Sequence, residues 1–184
     1  MSIETDQART KTDAPRSKSL GFVEYIINRC QSNNGLRAAL KRADNPATEY
    51  QSWEILAGFH INLEYENQRL PYATIAAVIA RTNATSNGFA KIGQAIARCY
   101  EDGNTSDQAK AKLRRLLACG TPAEACRILR PLFSLIEAKG NTSLDYASML
   151  DDLLWFGREE NQIRIKARWA QGFYGKSIEG DKDE

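Results

Sequence analysis

Residues 113–156 read LRRLLACGTPAEACRILRPLFSLIEAKGNTSLDYASMLDDLLWF, and RWAQGFYG follows at 168–175. Gly120 and Pro122 interrupt the pattern and predict a helix break between two leucine-rich segments. Pro131 predicts a kink or a split in the second of them. Apolar residues in that second segment recur at helical spacing, at Cys126, Leu129, Leu132, Phe133 and Ile136. The stretch therefore predicts packed amphipathic helices.

The rest of the chain carries the same signals, and sustained period-two alternation typical of strands is absent. The fold class we expect is all-α, with two small helical bundles. About nine helices are predicted, near 19–31, 34–43, 46–62, 71–81, 88–100, 106–118, 122–139, 143–156 and 160–174.

Several helix starts carry capping residues. Asn45-Pro46 predicts an N-cap followed by proline at the first helical position. Thr105–Gln108 and Thr121–Glu124 have the spacing of a capping box. Thr142 or Ser143 is expected to cap the helix that follows Gly140.

The best domain boundary is 101–106, because turn-forming residues concentrate there between two periodic stretches. We expect a disordered arm at 1–18, an N-terminal bundle at 19–103, a C-terminal bundle at 104–175 and a loose polar tail at 176–184.

The composition is that of an ordinary globular protein. Of 184 residues, 42% are hydrophobic and 26% charged, and the net charge is only +2. The apolar runs are too short to span a bilayer, and the N-terminus lacks the apolar core of a secretory signal. The four cysteines match no zinc or disulfide spacing, so they are expected to be reduced and buried. We expect no membrane partner and a cytoplasmic location.

No persuasive active site emerges from the sequence. The chain has a single histidine, His60, and this excludes most catalytic triads and multi-histidine metal sites. His60 lies between Phe59 and Ile61 in a predicted helix. An acidic region at 145–160 leaves open a metal-dependent nuclease, although surface charges or internal salt bridges account for it better. No catalytic residue, metal ligand or cofactor is predicted.

Two segments depart from the balanced average charge. Residues 35–42 carry Arg37, Lys41 and Arg42 without an acid among them. Residues 110–130 carry six cations against the lone acid Glu124. These cations are Lys110, Lys112, Arg114, Arg115, Arg127 and Arg130.

Clustered like charges on a helix repel one another unless an external anion relieves them. A phosphate backbone is a natural anion for such faces, and its binding would be largely independent of sequence. The alternatives are solvated helix faces, pairing with the acidic helix near 145–160, or docking to acidic partner proteins. Such docking would make the chain a helical protein–protein adaptor with no direct nucleic-acid role.

The C-terminal half resembles the CasB family, the small subunit of the type I-E CRISPR Cascade complex. Counterparts of the family's C-terminal pattern are Leu144–Ala147, Asp152–Leu154 with Trp155-Phe156, Trp169-Ala170 and Phe173-Tyr174. Weaker matches are GLRAALKRADNP at 35–46 and KIGQAIA at 91–97. The order and spacing of these short motifs carry the resemblance.

The resemblance implies a non-catalytic protein of two helical bundles in a prokaryotic antiviral complex. Its implied partners are the backbone and large Cascade subunits, a second copy of itself, the guide RNA and the target DNA. Its basic surface would stabilise the guide RNA–target DNA hybrid and the displaced strand. Replacing a DNA duplex with such a hybrid is nearly balanced in energy, so backbone contacts can decide the outcome.

The resemblance also points to particular residues. Lys41-Arg42 match a basic pair after the family's first glycine, and Lys112 and Arg130 fall at positions usually basic. Charge and helical facing add Arg37, Lys91, Lys110, Arg114, Arg115 and Arg127. Asp151 and Tyr146 depart from the family pattern. Five aromatic residues of the C-terminal motifs offer faces on which bases can stack, but their helical spacing favours core positions: Trp155, Phe156, Trp169, Phe173 and Tyr174.

Overall fold

The computed structural model describes residues 17–139 and 143–175. Within these ranges the chain is all-α, as predicted, and its only β feature is an isolated bridge between Ala90 and Leu144. The nine α-helices are α1 (Lys18–Ser32), α2 (Asn34–Leu40), α3 (Trp53–Gly58), α4 (Glu66–Thr82), α5 (Ile92–Arg98), α6 (Asp107–Leu117), α7 (Pro122–Lys139), α8 (Tyr146–Trp155) and α9 (Glu159–Tyr174). The predicted tail and nearly all of the predicted arm lie outside the described residues.

Helix α4 is the central helix of the fold. Ten consecutive residues, 71–80, are buried, and a helix that is apolar all round is expected in the interior. It packs against α1, α2, α7 and α8. The prediction of 71–81 was too short, because the helix already begins at Glu66 and carries Pro71 in its interior with the ring buried.

Helices from the two halves of the chain share one hydrophobic core. The most extensive helix contacts are α5 with α9, α4 with α7, and α1 with α8, and each pair takes one helix from either side of residues 103/104. The division into two bundles at that position stays a prediction.

Glycine lets two of these helices meet at their backbones. A Cβ atom on Gly93 of α5 would lie 2.1 Å from the Trp169 carbonyl oxygen and 2.5 Å from the Phe173 amide nitrogen. Any side chain at Gly93 would therefore force α5 away from α9.

The predicted helix at 46–62 is wrong. A 3₁₀ turn at Glu49–Ser52 leads into the short helix α3, which ends at Gly58. Asn45 does not cap a helix: its Oδ1 accepts a hydrogen bond from the Ala47 amide at 3.1 Å, a turn that competes with helix formation. His60 lies beyond α3 with a left-handed φ of 60° and is exposed.

Helices α5 and α8 start later than predicted, because the residues just before them are extended and hydrogen-bonded to each other. The Gly88 amide donates to the Leu144 carbonyl at 2.8 Å, and the Asp145 amide donates to the Ala90 carbonyl at 3.0 Å. Helix α5 therefore begins at Ile92 and α8 at Tyr146. The cap of α8 is Asp145, whose side chain accepts from the Ser148 amide, so the predicted cap at Ser143 is wrong, and the alternative, Thr142, lies outside the described residues.

The other predicted caps are close to the observed ones. Ser106, one residue after the predicted Thr105, caps α6 by accepting from the Ala109 amide. Thr121 accepts from the Glu124 amide at 3.1 Å, as predicted, but the Glu124 carboxylate accepts from Gly120 instead of Thr121. Helix α7 runs unbroken through Pro131, so of the two predicted outcomes the split is excluded and the kink stays a prediction.

Two predictions from composition are confirmed for this part of the chain. All four cysteines are free and buried. Among the described residues, the helices lack the length and apolar character that crossing a membrane requires.

Candidate nucleic-acid interface

Asp44 joins the two basic segments of the sequence. Its Oδ2 lies 2.8 Å from Arg81 Nη1, and its Oδ1 lies 3.6 Å from Arg130 Nε. The carboxylate is only 3% exposed, so it is buried between two guanidinium groups. Because Asp44 follows Arg42 by two residues, this contact brings the end of the first basic segment against α7, in the second.

Helix α2 is held at the C-terminal end of α4. Arg37 Nη1 donates to Asn83 Oδ1 at 2.5 Å, and Asn83 ends α4 in the left-handed conformation. Arg81 Nη1 also donates to the Lys41 carbonyl at 3.3 Å. We call the resulting group the Asp44 cluster: Arg37, Lys41, Arg42, Asp44, Arg81 and Arg130.

The Asp44 cluster has a buried layer and an exposed layer. Asp44 and Arg81 lie inside, and Arg81 Nε is also 3.9 Å from Glu137 Oε2. Lys41 and Arg42 are exposed and form no ion pair with a described residue. Arg130 is 44% exposed despite its contact with Asp44. The buried carboxylate thus holds a surface on which positive charge is in excess.

Helix α6 presents further cations. Ala109, Leu113 and Leu116 face the core, so the opposite side of the helix is exposed. Lys110 is 3.9 Å from the exposed carboxylate of Asp107. Four other predicted site residues on α6 and α7 form no ion pair with any residue that the structure describes: Lys112, Arg114, Arg115 and Arg127. Helix α6 packs against α7, but no hydrogen bond or ion pair joins these side chains to the Asp44 cluster in the described ranges.

Lys91 is not part of the Asp44 cluster, and its charge is paired with that of Asp145. Its Nζ is 2.5 Å from Asp145 Oδ2. Burial alone would raise the pKa of Asp145, but hydrogen bonds from Lys91, Asn87 and the Ser148 amide hold that pKa below its ordinary value. Both residues line a cavity of about 280 Å³ next to Asp152 and Arg168. Of the ten predicted cations, Lys91 has the shortest contact with a carboxylate.

The three aspartates of the acidic region at 145–160 are engaged within the fold. Asp152 accepts hydrogen bonds from Arg168 and from Trp169 Nε1, and burial raises its pKa. Asp151 accepts from Ser19 Oγ at 2.5 Å. Across residues 17–139 and 143–175, histidine, cysteine and acidic side chains form no group of three that could hold a metal ion. Internal pairing therefore accounts for these acids better than a metal site does.

Sequence reasoning missed Arg81 and misplaced two aromatic rings. Arg81 follows the buried run of α4, at a helix end where a solvated cation is typical. Nothing in the local sequence indicates its contact with Asp44. Phe156, Trp169 and Phe173 are buried as predicted. Trp155 is 48% and Tyr174 is 51% exposed, so the prediction of a core position is wrong for these two.

Comparisons with known proteins agree with this fold. The chain is similar to the crystal structure of M. ruber CasB, with a TM-score of 0.68 and 23% identity over 86% of this chain and 93% of that one. For CasB from Thermobifida fusca the TM-score is 0.66, at 15% identity over 85% and 98% of the two chains. For CasB from Thermus thermophilus it is 0.65, at 21% identity over 88% and 100%.

At this level of identity the solved structures establish the fold alone. A search of the curated proteins finds no match. The family model of CRISPR-associated protein Cse2 matches residues 36–174, which is most of the chain and includes every cation discussed above. This match supports the resemblance noted from the sequence and a role as a subunit of Cascade. The chain belongs to the CRISPR-associated protein Cse2 family.

Proposed function

We propose that the chain is the small, non-catalytic subunit of a type I-E CRISPR Cascade complex in prokaryotic antiviral defence, and that it binds nucleic-acid backbone without sequence specificity. One observation carries the proposal: Asp44 gathers cations from two distant segments onto one surface. Lys41, Arg42 and Arg130 are the exposed members of that surface.

Phosphate is the ligand that this chemistry suits. Guanidinium groups match phosphate oxygens with paired donors, and each neutralised phosphate releases condensed counterions. The buried Asp44–Arg81 pair fixes the backbone beneath the exposed cations, so little ordering is required when a strand binds. Such contacts position a strand and carry no base information.

Energetics supports the proposed role of this surface in the R-loop. Replacing a DNA duplex with a guide RNA–target DNA hybrid is nearly balanced, so a few backbone contacts decide the outcome. We propose that the Asp44 cluster holds the hybrid or the displaced strand, and that the free cations of α6 and α7 extend the same surface. The protein partners in this proposal are the backbone and large subunits of Cascade and a second copy of the chain.

Salt dependence tests the proposal on the isolated protein. Affinity for a DNA duplex and for a single strand should fall linearly on a log–log plot against salt, with a slope of about −0.9 per phosphate contacted on a duplex. Gel shifts at low salt should detect binding to both. Absence of binding at low salt would contradict a backbone-binding role.

A second candidate, a protein adaptor with no nucleic-acid role, is favoured by Phe89. Its side chain is 90% exposed, although hydrogen bonds to Ser143 and Leu144 hold the segment around it. A rigidly held, exposed ring is typical of a contact that anchors a partner protein. Heparin separates the two candidates, because it should displace nucleic acid from the cationic surface and leave a partner held at Phe89 in place.

A further inference from the structure

A second surface of interest is a groove at the N-terminal end of α4, opposite the Asp44 cluster along that helix. Its volume is about 670 Å³, within the range of about 300–1,000 Å³ typical of small-molecule pockets. We call it the Trp155 groove. It is lined by Tyr65 and Gln68 of the α4 end, Lys18 of α1, and Trp155 and Arg158 around the end of α8.

Trp155 is the central feature of this groove. Its ring is 48% exposed, and the Arg158 guanidinium carbon lies 4.7 Å from the ring centroid. The same tryptophan borders a neighbouring groove of about 400 Å³ that Arg164 also lines. Tyr65, on the other wall, is 62% exposed. Aromatic surface is thus accessible together with guanidinium groups.

The cations here have no acid partner among the described residues, and the two aspartates that line the grooves accept hydrogen bonds within the fold. Lys18, Arg158 and Arg164 form no ion pair with any residue that the structure describes. Asp151, which lines both grooves, accepts a hydrogen bond from Ser19 Oγ, and Asp152 is bound by Arg168 and Trp169. The exposed Glu159 and Glu160 line neither groove.

We propose that the Trp155 groove binds single-stranded nucleic acid by stacking unpaired bases on Trp155 and Tyr65 while the free cations contact the phosphates. Exposed aromatic rings beside unpaired cations are the combination that binds single strands regardless of sequence. This inference rests on the proposed function and deepens it: the Asp44 cluster contacts backbone, whereas this groove contacts base faces. Helix α4 separates the two surfaces by about 25 Å along its axis.

A single strand fits the groove better than a protein segment does. Tryptophan, tyrosine and arginine also anchor protein interfaces, so residue types alone do not decide. The charge decides: three unpaired cations border these grooves against Asp151, whose described partner is a neutral hydroxyl, so the excess charge is positive and favours a polyanion.

The test compares two oligonucleotides of equal length, about ten nucleotides: a thymidine homopolymer and an abasic strand with the same phosphates. Binding to the full chain is measured by fluorescence anisotropy at low salt. The Trp155→Leu variant removes the ring and keeps an apolar side chain, and Trp155→Tyr restores a ring. Trp53→Leu is the matched control, because Trp53 is 41% exposed and lines neither groove.

Trp155→Leu should weaken binding of the thymidine strand at least about fivefold and leave binding of the abasic strand unchanged. Trp155→Tyr should recover most of that loss, and Trp53→Leu should bind both strands as the unaltered chain does. Thermal unfolding followed by far-ultraviolet circular dichroism checks that each variant is folded.

An equal effect of Trp155→Leu on both strands, or no effect on either, would overturn the stacking site. Loss of assembly with other Cascade subunits at unchanged strand affinity would also overturn it and would assign the groove to a protein segment. If the unaltered chain binds neither strand, the proposed function itself fails. Binding of both strands without a Trp155 effect refutes only the stacking site.

Discussion

Arg81 Nη1 lies 2.8 Å from Asp44 Oδ2, although the two residues are 37 positions apart and belong to different elements. Arg81 is 17% and Asp44 3% exposed, so the pair is largely removed from water. Arg130 approaches the other carboxylate oxygen of Asp44. A single buried acid therefore fixes the relative positions of α4, α7 and the loop that carries Lys41 and Arg42.

Asp44→Ala should destabilise the fold by about 3 kcal/mol, because it leaves the largely buried Arg81 with only the more distant and more exposed Glu137 as an acid partner. Urea unfolding measures the change. Asp107→Ala is the control: Asp107 is fully exposed, its ion pair with Lys110 spans 3.9 Å, and little change in stability is expected. Equal stabilities of the two variants would show that the Asp44 carboxylate does not organise this surface.

The sequence alone predicts the four members of the Asp44 cluster that lie in the two basic segments, whereas their proximity comes only from the structure. Lys41-Arg42 and Arg130 are visible as local excess charge. Arg81 is a lone cation after an apolar run, and Asp44 looks like an ordinary loop acid. Their contact is set by tertiary packing of α2 against α4 and of α4 against α7, which local periodicity does not encode.

Helix positions were predicted best where the apolar stripe is long, as in α6, α7 and α9. The prediction was wrong for 46–62, where the Asn45 side chain accepts a hydrogen bond from the Ala47 amide and favours a turn. It was also wrong before α5, where extended residues pair with Ser143 and Leu144 from far along the chain. Both misses arise from hydrogen bonds that a helical pattern does not reveal.

Gly93→Ala should destabilise the fold by about 1–3 kcal/mol, because the added methyl group collides with the backbone of α9 at Trp169. Gly21→Ala is the matched control. Gly21 lies inside α1 with nothing within 4 Å of the added atom, so that change should stabilise the protein by about 0.5–1 kcal/mol. Thermal unfolding of both variants gives the comparison. A neutral Gly93→Ala would contradict the close approach of α5 and α9.

Asp145 and Asp152 should give opposite pH dependences of stability. The pKa of Asp145 is below its ordinary value of 3.8, so its contribution is present above that pH and is lost as the pH falls through the lowered pKa. The pKa of Asp152 is raised by burial, so its contribution is most favourable below pH 3.8 and is lost as the pH rises through the raised pKa.

Urea unfolding of Asp145→Asn and Asp152→Asn between about pH 2 and 7 checks this pair. With rising pH, the stability advantage of the unaltered chain should grow over Asp145→Asn and shrink over Asp152→Asn. Each variant serves as the control for the other, because both remove one carboxylate from α8 or its cap. Parallel curves would contradict the environments described for the two acids.

Lys41→Glu combined with Arg42→Glu, in a chain assembled into Cascade with its guide RNA, tests the central claim most directly. Both side chains are exposed and unpaired within the described residues, so the fold and assembly should persist. Arg98→Glu combined with Lys139→Glu is the control, because it reverses the same amount of exposed charge at two residues that belong neither to the Asp44 cluster nor to the predicted site residues. The account predicts that the first pair weakens target DNA binding by about tenfold or more and that the second has little effect. Unchanged target affinity in an intact complex carrying the first pair would contradict it.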